Sequence, residues 1–419
     1  MEPMVSTLGA LIGLALAIIL IIKKVNPAYS LIIGAIVGGL AGGANLPETV
    51  NILLDGARGM IPAVIRIITA GVLAGVLIQT GAAATIAAKI IKVIGEKGAL
   101  IALALSVMLL TGVGVFIDVA VITVAPIALM TAKKVKLPTM AVLLAMIGGG
   151  KAGNMLSPNP NTIATAENFG VELQSLMVAN IVPAIAGLIM TIILAKYLAK
   201  KYAGEEVAIE STDSPKQDLP KFWAAIVGPV VTIILLALRP MFDLAVDPLI
   251  ALPVGGIIGC LAMGKIRHLN DYMNFGLGKM MPITILLLGT GAISGIIAAS
   301  GLRNDTIVLL EAMHLPMFLL APISGILMSA ATASTTAGAN LASATFGGAI
   351  VGGGVSAIAG AAMVHTGATV LDHLPHGSFF HATGGSVYMD ITKRLKVVPY
   401  ESLVGIVMTI VSTIIWGML

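Results

Sequence analysis

The sequence predicts an all-α polytopic membrane protein made of two inverted-topology repeats, each with three helices, a re-entrant helical hairpin, a broken helix and a closing helix. Three observations lead there. Several apolar runs approach the roughly 20 residues that cross about 30 Å of hydrocarbon. The one long polar stretch, KKYAGEEVAIESTDSPKQDLPK (200 to 221), divides the 419 residues nearly in half. The charges in the loops of the two halves follow complementary patterns.

Composition supports the membrane class. The chain is 58% hydrophobic and 11% charged, with a mean hydropathy of +1.03. Its 48 glycines suit helices that meet backbone to backbone, because lipid supplies no hydrophobic drive for helix association. Alternating short segments of the β-barrel kind are absent. The net charge of +4 comes from Lys and Arg in short loops, a topology signal and not a nucleic-acid footprint. The single Cys260 excludes an internal disulfide and a CxxC metal pattern, and no metal or cofactor is expected. The opening MEPMVSTLGALIGLALAIILIIKK has its positives after the apolar run, the reverse of a secretory signal, and reads as a retained first helix.

Shifting one half on the other by about 220 positions pairs VNPAYSLIIGAIVGGLAGG (25 to 43) with VDPLIALPVGGIIGCLAMG (246 to 264). Pro62, Gly71, Gly75 and Gly81 then meet Pro282, Gly291, Gly295 and Gly301, and GLIMTII (187 to 193) meets GIVMTIV (405 to 411). The domains read as 1 to 199, a cytoplasmic linker at 200 to 221, and 222 to 419. In the first half, positives follow the first, third, fourth and sixth apolar runs. In the second they follow the second (Lys265, Arg267) and the fifth (Lys393, Arg394, Lys396), while the loop at 346 to 355 carries none. Opposite patterns on matching runs make the repeats inverted, with both termini outside.

Both ends of residues 98 to 132 carry cytoplasmic-type charge, so that segment turns back. LLTGVGVFID (109 to 118) supplies the turn, and SAATASTTAGAN (329 to 340) is its hydroxyl-rich partner. The broken helices follow. In GGGKAGNMLSPNPNTIATAENFG (148 to 170), Pro158 and Pro160 remove backbone donors and push their neighbours out of helix. TGATVLDHLPHGSFFHATGG (366 to 385) aligns with it, Pro160 on Pro375, and holds three of the six histidines. Irregular backbone at membrane depth persists only against protein or a water-filled cavity. The half-helices starting near Asn161 and near Gly377 and Ser378 point positive dipole ends at their gaps, which favours an anion.

Around these breaks and tips the candidate substrate ligands are Asn154, Ser157, Asn159, Asn161, Thr162, Thr332, Ser334, Thr335, His376, Gly377 and Ser378. Asp118, Asp372, His373 and His376 are candidates for cation coupling, the last three as a proton relay. Lys151 is a candidate carboxylate partner, or the salt-bridge partner of Asp118. His365 and His381 read as packing or interface residues, and Arg66 carries no assignment.

SPNPNTIATAENFGVELQSLMVANIVPA (157 to 184) and DHLPHGSFFHATGGSVYMDITKRLKVVPYESLVGIVMT (372 to 409) resemble the gluconate permease family of the ion-transporter superfamily. The second break departs from that family's Asn-Asp-Ser-Gly-Phe type sequence with His-Leu-Pro-His-Gly-Ser-Phe. The resemblance implies a secondary transporter of a small hydroxy-carboxylate in the cell's inner membrane, coupled to H+ or Na+, working as a homodimer by elevator motion. A channel needs a continuous polar path, whereas these polar groups concentrate at two breaks and two tips. An intramembrane hydrolase needs a motif such as HExxH, which is absent. Sodium/proton antiport and sodium-coupled carboxylate symport remain as alternatives within transport.

Overall fold

The structure, a computed structural model, describes residues 4–204, 219–242, 246–312 and 316–418. Most of the 200 to 221 linker therefore lies outside the described residues, and so does its expected cytoplasmic placement. Helix dominates the rest, and the described residues contain one isolated extended bridge, Val5 with Ser300.

The helices of the first half are α1 (Thr7–Ile22), α2 (Pro27–Ala41), α3 (Leu46–Gly59), α4 (Ile61–Gln79), α5 (Ala82–Ile94), α6 (Ala99–Gly112), α7 (Ile117–Val135), α8 (Thr139–Met155), α9 (Pro160–Phe169), α10 (Leu173–Ala179) and α11 (Ile181–Lys201). Those of the second half are α12 (Phe222–Ala225), α13 (Val227–Phe242), α14 (Pro248–Ala262), α15 (Leu269–Ala298), α16 (Leu302–Ala312), α17 (Leu320–Thr332), α18 (Thr335–Gly352), α19 (Ala357–Gly367), α20 (Ser378–Ser386) and α21 (Ile391–Thr413). Among the described residues, four helices are long and apolar enough to cross a membrane: Ile61–Gln79, Ile181–Lys201, Ile266–Ala298 and Ile391–Met418.

Three features differ from expectation. The short helices α5 and α16 intervene between the third helix and the hairpin of each half, where no element was foreseen. α5 buries Ala82, Ala83, Ile86 and Ala87 and exposes Lys89 and Lys92, an amphipathic pattern suited to the membrane surface, and it meets α6 at 110°. Residues 346 to 355, expected as a loop, are mostly helix, because α18 runs to Gly352 before the chain turns. Arg394, counted above as a loop charge, is buried in α21 against Glu401. The positive cluster that helped to set the topology of the second half is smaller by one.

α4 and α15 pack backbone on backbone. A Cβ on Gly276 would lie 1.9 Å from the carbonyl oxygen of Gly71, so only glycine permits this approach. The site depends on how the two halves interlock. α9 of the first half packs on α18 of the second, α20 packs on α7, and α11 packs on α21.

Candidate functional site

The α8 to α9 break begins as a packing problem. Met140 through Met155 are all buried, and Gly149 and Gly153 bring α8 so close to α6 that a Cβ would sit 2.1 Å from the carbonyl oxygens of Ala104 and Met108. Pro158 and Pro160 then end helical bonding, and Asn159 restores it. Its Oδ1 accepts from the backbone N–H groups of Asn161 (2.9 Å) and Thr162 (3.2 Å) and from the Thr162 hydroxyl (3.3 Å), capping α9. Its Nδ2 donates back across the gap to the Asn154 carbonyl (2.8 Å) and to Asn154 Oδ1 (2.5 Å). Asn159 holds the break together and has no free group for a ligand.

In the second break, Asp372 is 2% exposed and His373 is fully buried. Lys151 reaches them from α8. Its Nζ lies 2.5 Å from Asp372 Oδ1, 2.5 Å from the Thr369 carbonyl oxygen and 2.9 Å from His373 Nδ1. The lysine therefore pairs with Asp372, not with Asp118. The other oxygen of Asp372 accepts from the Thr335 hydroxyl at 2.5 Å, which ties the break to the α17 to α18 hairpin tip. A Cβ on Gly377 would fall 2.5 Å from the Ala333 carbonyl oxygen, so the same tip presses on the start of α20. Behind His373, Nε2 contacts the Val398 carbonyl and the Ser402 hydroxyl, each at 3.1 Å. Arg394 pairs there with Glu401 and lies over the ring of Phe380.

A cavity of about 310 Å³ lies between these elements. Four helix starts form its wall: Phe116 to Val119 of α7, Asn161 of α9, Ser334 to Thr336 of α18, and Ser378 with Phe379 of α20. Asn154 and Asp372 complete the polar part, and Lys279, Pro282, Ile283 and Leu286 of α15 close the remaining side. The starts of α7 and α20 have no side-chain cap, while Asn159 caps α9 and Ser334 accepts from the backbone N–H of Ala337 in α18. Each start carries a partial positive charge worth roughly 0.3–1 kcal/mol towards an anion, and up to about 2 in partly buried settings. Asn161 adds a donor. Its Oδ1 accepts from Thr336, while its Nδ2 is buried without a partner.

Of the residues expected to bind substrate, Asn154, Asn161, Ser334, Thr335 and Ser378 line this cavity, together with Asp118 and Asp372 of the coupling set. Ser157, Asn159, Thr162, Thr332 and Gly377 lie outside it, and Thr332 donates to the Met328 carbonyl within its own helix. His376 is exposed and does not join Asp372 and His373. His365 is buried in α19 with Nδ1 3.4 Å from Asn180 Nδ2, and His381 Nε2 lies 2.8 Å from the Pro375 carbonyl oxygen. Arg66 joins Glu167 (2.5 Å) to Asp247 (3.0 Å) at a separate cavity of about 360 Å³. Lys279, Thr336 and the Arg394–Glu401 pair were missed. Lys279 carried one signal, a lone lysine three residues before Pro282 in an apolar run.

The sequence pattern of the GntP family permeases matches residues 5–419. An "uncharacterized transporter" of Haemophilus influenzae is 58% identical over 416 residues, covering 99% of this chain and 98% of that protein. The Gnt-II system L-idonate transporter of Escherichia coli K12 is 25% identical over 318 residues, covering 70% of this chain and 72% of that one. Among solved structures, the Alcanivorax borkumensis YdaH transporter superposes with a TM-score of 0.70 at 15% identity, covering 89% of each chain, a likeness of fold. The family is one of integral membrane transporters and not of enzymes, and a match across nearly the whole chain places this protein in it: the chain belongs to the GntP permease family.

Proposed function

We propose that the protein is a secondary active transporter that moves a small hydroxylated carboxylate, of the gluconate or idonate kind, together with a proton by alternating access. The observation that carries this reading is the meeting of four helix starts at one polar cavity. They offer diffuse positive potential to a carboxylate, to which one side chain can add a counter-charge. Lys151 does not serve as that counter-charge, since Asp372 and its two other acceptors occupy it. Lys279 does, from the α15 wall, where among the described residues its ammonium meets only the Phe275 ring, 5.4 Å away. The hydroxyls of Ser334, Thr335, Thr336 and Ser378 and the amides of Asn154 and Asn161 suit the hydroxyls of a sugar acid. A volume near 310 Å³ falls at the small end of ligand pockets, which run roughly 300–1,000 Å³.

In this reading the halves are inverted repeats. The hairpin tips at 113 to 116 and 333 to 334 close the cavity from opposite sides, both termini lie outside, and the 200 to 221 linker is cytoplasmic. Working as a homodimer by elevator motion in the inner membrane follows from the family resemblance. A second reading, cation exchange without an organic solute, draws on Asp118, a carboxylate in the cavity wall with no ion pair among the described residues.

Counterflow in proteoliposomes separates the two. Labelled gluconate or L-idonate should exchange against the same unlabelled acid, while glucose, which has the hydroxyls but no carboxylate, should not. Dissipation of a sodium or proton gradient with no exchange of either acid would overturn the first reading in favour of the second.

A further inference from the structure

Lys151 sits where three polar groups of the second break meet. A backbone carbonyl oxygen (Thr369), a carboxylate oxygen (Asp372 Oδ1) and an imidazole nitrogen (His373 Nδ1) converge at an unwound helix, the kind of ligand set that holds a small cation at such a break. The ammonium fills it, donating to the Thr369 carbonyl and to Asp372 Oδ1. His373 is held in place by the same geometry. The Val398 carbonyl can only accept, so Nε2 donates to it, while Nδ1 faces Lys151 and Asp372. Nδ1 lies 2.8 Å from Asp372 Oδ1, so the imidazole touches both members of the ion pair.

The charged surroundings of Lys151 are few. α8 carries no other titratable group, and α6 carries none. α7 contributes Asp118 at the cavity, and the second break contributes Asp372 and His373. On α21, Glu401 approaches His373 Nδ1 to 3.8 Å but is bound by Arg394. α11 meets α8 through Thr191, against Gly148, and its lysines and Tyr197 lie in its last turns.

We infer that Lys151 is the seat of the coupled proton and stands in place of a bound sodium ion, so that loading the organic anion draws a proton onto Lys151. This rests on the transport reading above. Asp372 is both a partner of Lys151 and part of the cavity wall. With the ammonium present its charge is balanced and a carboxylate can enter. With a neutral amine there, Asp372 presents an unbalanced negative charge to the incoming anion. Protonation thus favours anion binding, and by linkage anion binding favours protonation to the same extent. His373 acts as a positioning residue that orients the ammonium, and the Asp372–His373–His376 relay expected from sequence gives way to a single lysine.

The experiment uses proteoliposomes of the full chain with labelled gluconate, or L-idonate if the wild type does not exchange gluconate. In sodium-free medium an inside-alkaline gradient should drive accumulation by the wild type. The charge-neutral double variant Lys151→Met with Asp372→Asn should lose at least about tenfold of the gradient-driven accumulation measured relative to its own downhill exchange. A double variant that concentrates the acid as the wild type does, or a wild type that requires sodium, would overturn the inference. Should the double variant fail to fold, proton uptake by the purified wild type decides. Adding the acid in weak, sodium-free alkaline buffer should take up about one proton for each acid bound, and binding without uptake overturns the inference. A wild type that exchanges neither acid overturns the transport reading first, and this one with it.

Discussion

Thr336 and Asn161 join the two halves of the chain across the cavity: the threonine hydroxyl donates to Asn161 Oδ1 at 2.6 Å. That bond aims the amide Nδ2, which has no partner of its own, and makes Asn161 the best-placed single donor for a substrate oxygen. Replacing it with alanine should raise the apparent KM about tenfold to hundredfold, the range of a hydrogen bond to a charged group worth about 1.5–3 kcal/mol. Thr336→Val should cost less, and the two effects should not add. Additive losses in a double-mutant cycle would show that the pair does not act as a unit.

Asn159 should behave in the opposite way. Its donors and acceptors are all spent inside the break, so Asn159→Ala should lower the thermal stability of the detergent-solubilised protein by about 1–3 kcal/mol, combining a lost cap with stranded buried groups. The affinity of whatever folds should stay close to wild type. A stable protein with weakened affinity would move Asn159 into the binding set.

Breaking the Arg394–Glu401 pair from one side should be severe. Arg394→Gln leaves a fully buried carboxylate uncompensated, at a cost of about 3–5 kcal/mol, and the protein should largely disappear from the membrane fraction. Joining it to Glu401→Gln should recover much of the loss. An unaffected single variant would mean that water reaches the pair.

Topology is open to cysteine labelling with little background, because native Cys260 is buried. A cysteine at Gly354 should react with an impermeant reagent in intact cells, and one in the 200 to 221 linker should react only after lysis. The reverse result would remove the inverted-repeat assignment.

Chain breaks were legible in the sequence because proline and glycine act locally. Pro158 and Pro160 end α8 at Met155 and start α9 at Pro160 whatever surrounds them. The partner of Lys151 was not legible. Asp118 and Asp372 are both acids beside a break, and only the packing of α8 against the second half puts Asp372 2.5 Å away. Arg394 misled for a related reason. Among Lys393 and Lys396 it looks like one more loop cation, and seven residues downstream Glu401 looks like an isolated acid, until α21 places them on one buried face. Lys279 was hidden by its setting in an apolar run, where nothing local says which neighbours it meets.

The backbone contact between α4 and α15 also bears on how such a protein can be blocked. At Gly71 and Gly276 the two helices are too close to slide or repack, so the side of the cavity that carries Lys279 is stiff, while the opposite side is made of hairpin tips and short half-helices. An inhibitor that merely resembles the solute would travel with the softer side. One that also grips Lys279 would staple the two sides together and arrest the cycle by tethering rather than by competition. A series of acids extended towards Lys279 should therefore shift from competitive to non-transported as the tail lengthens.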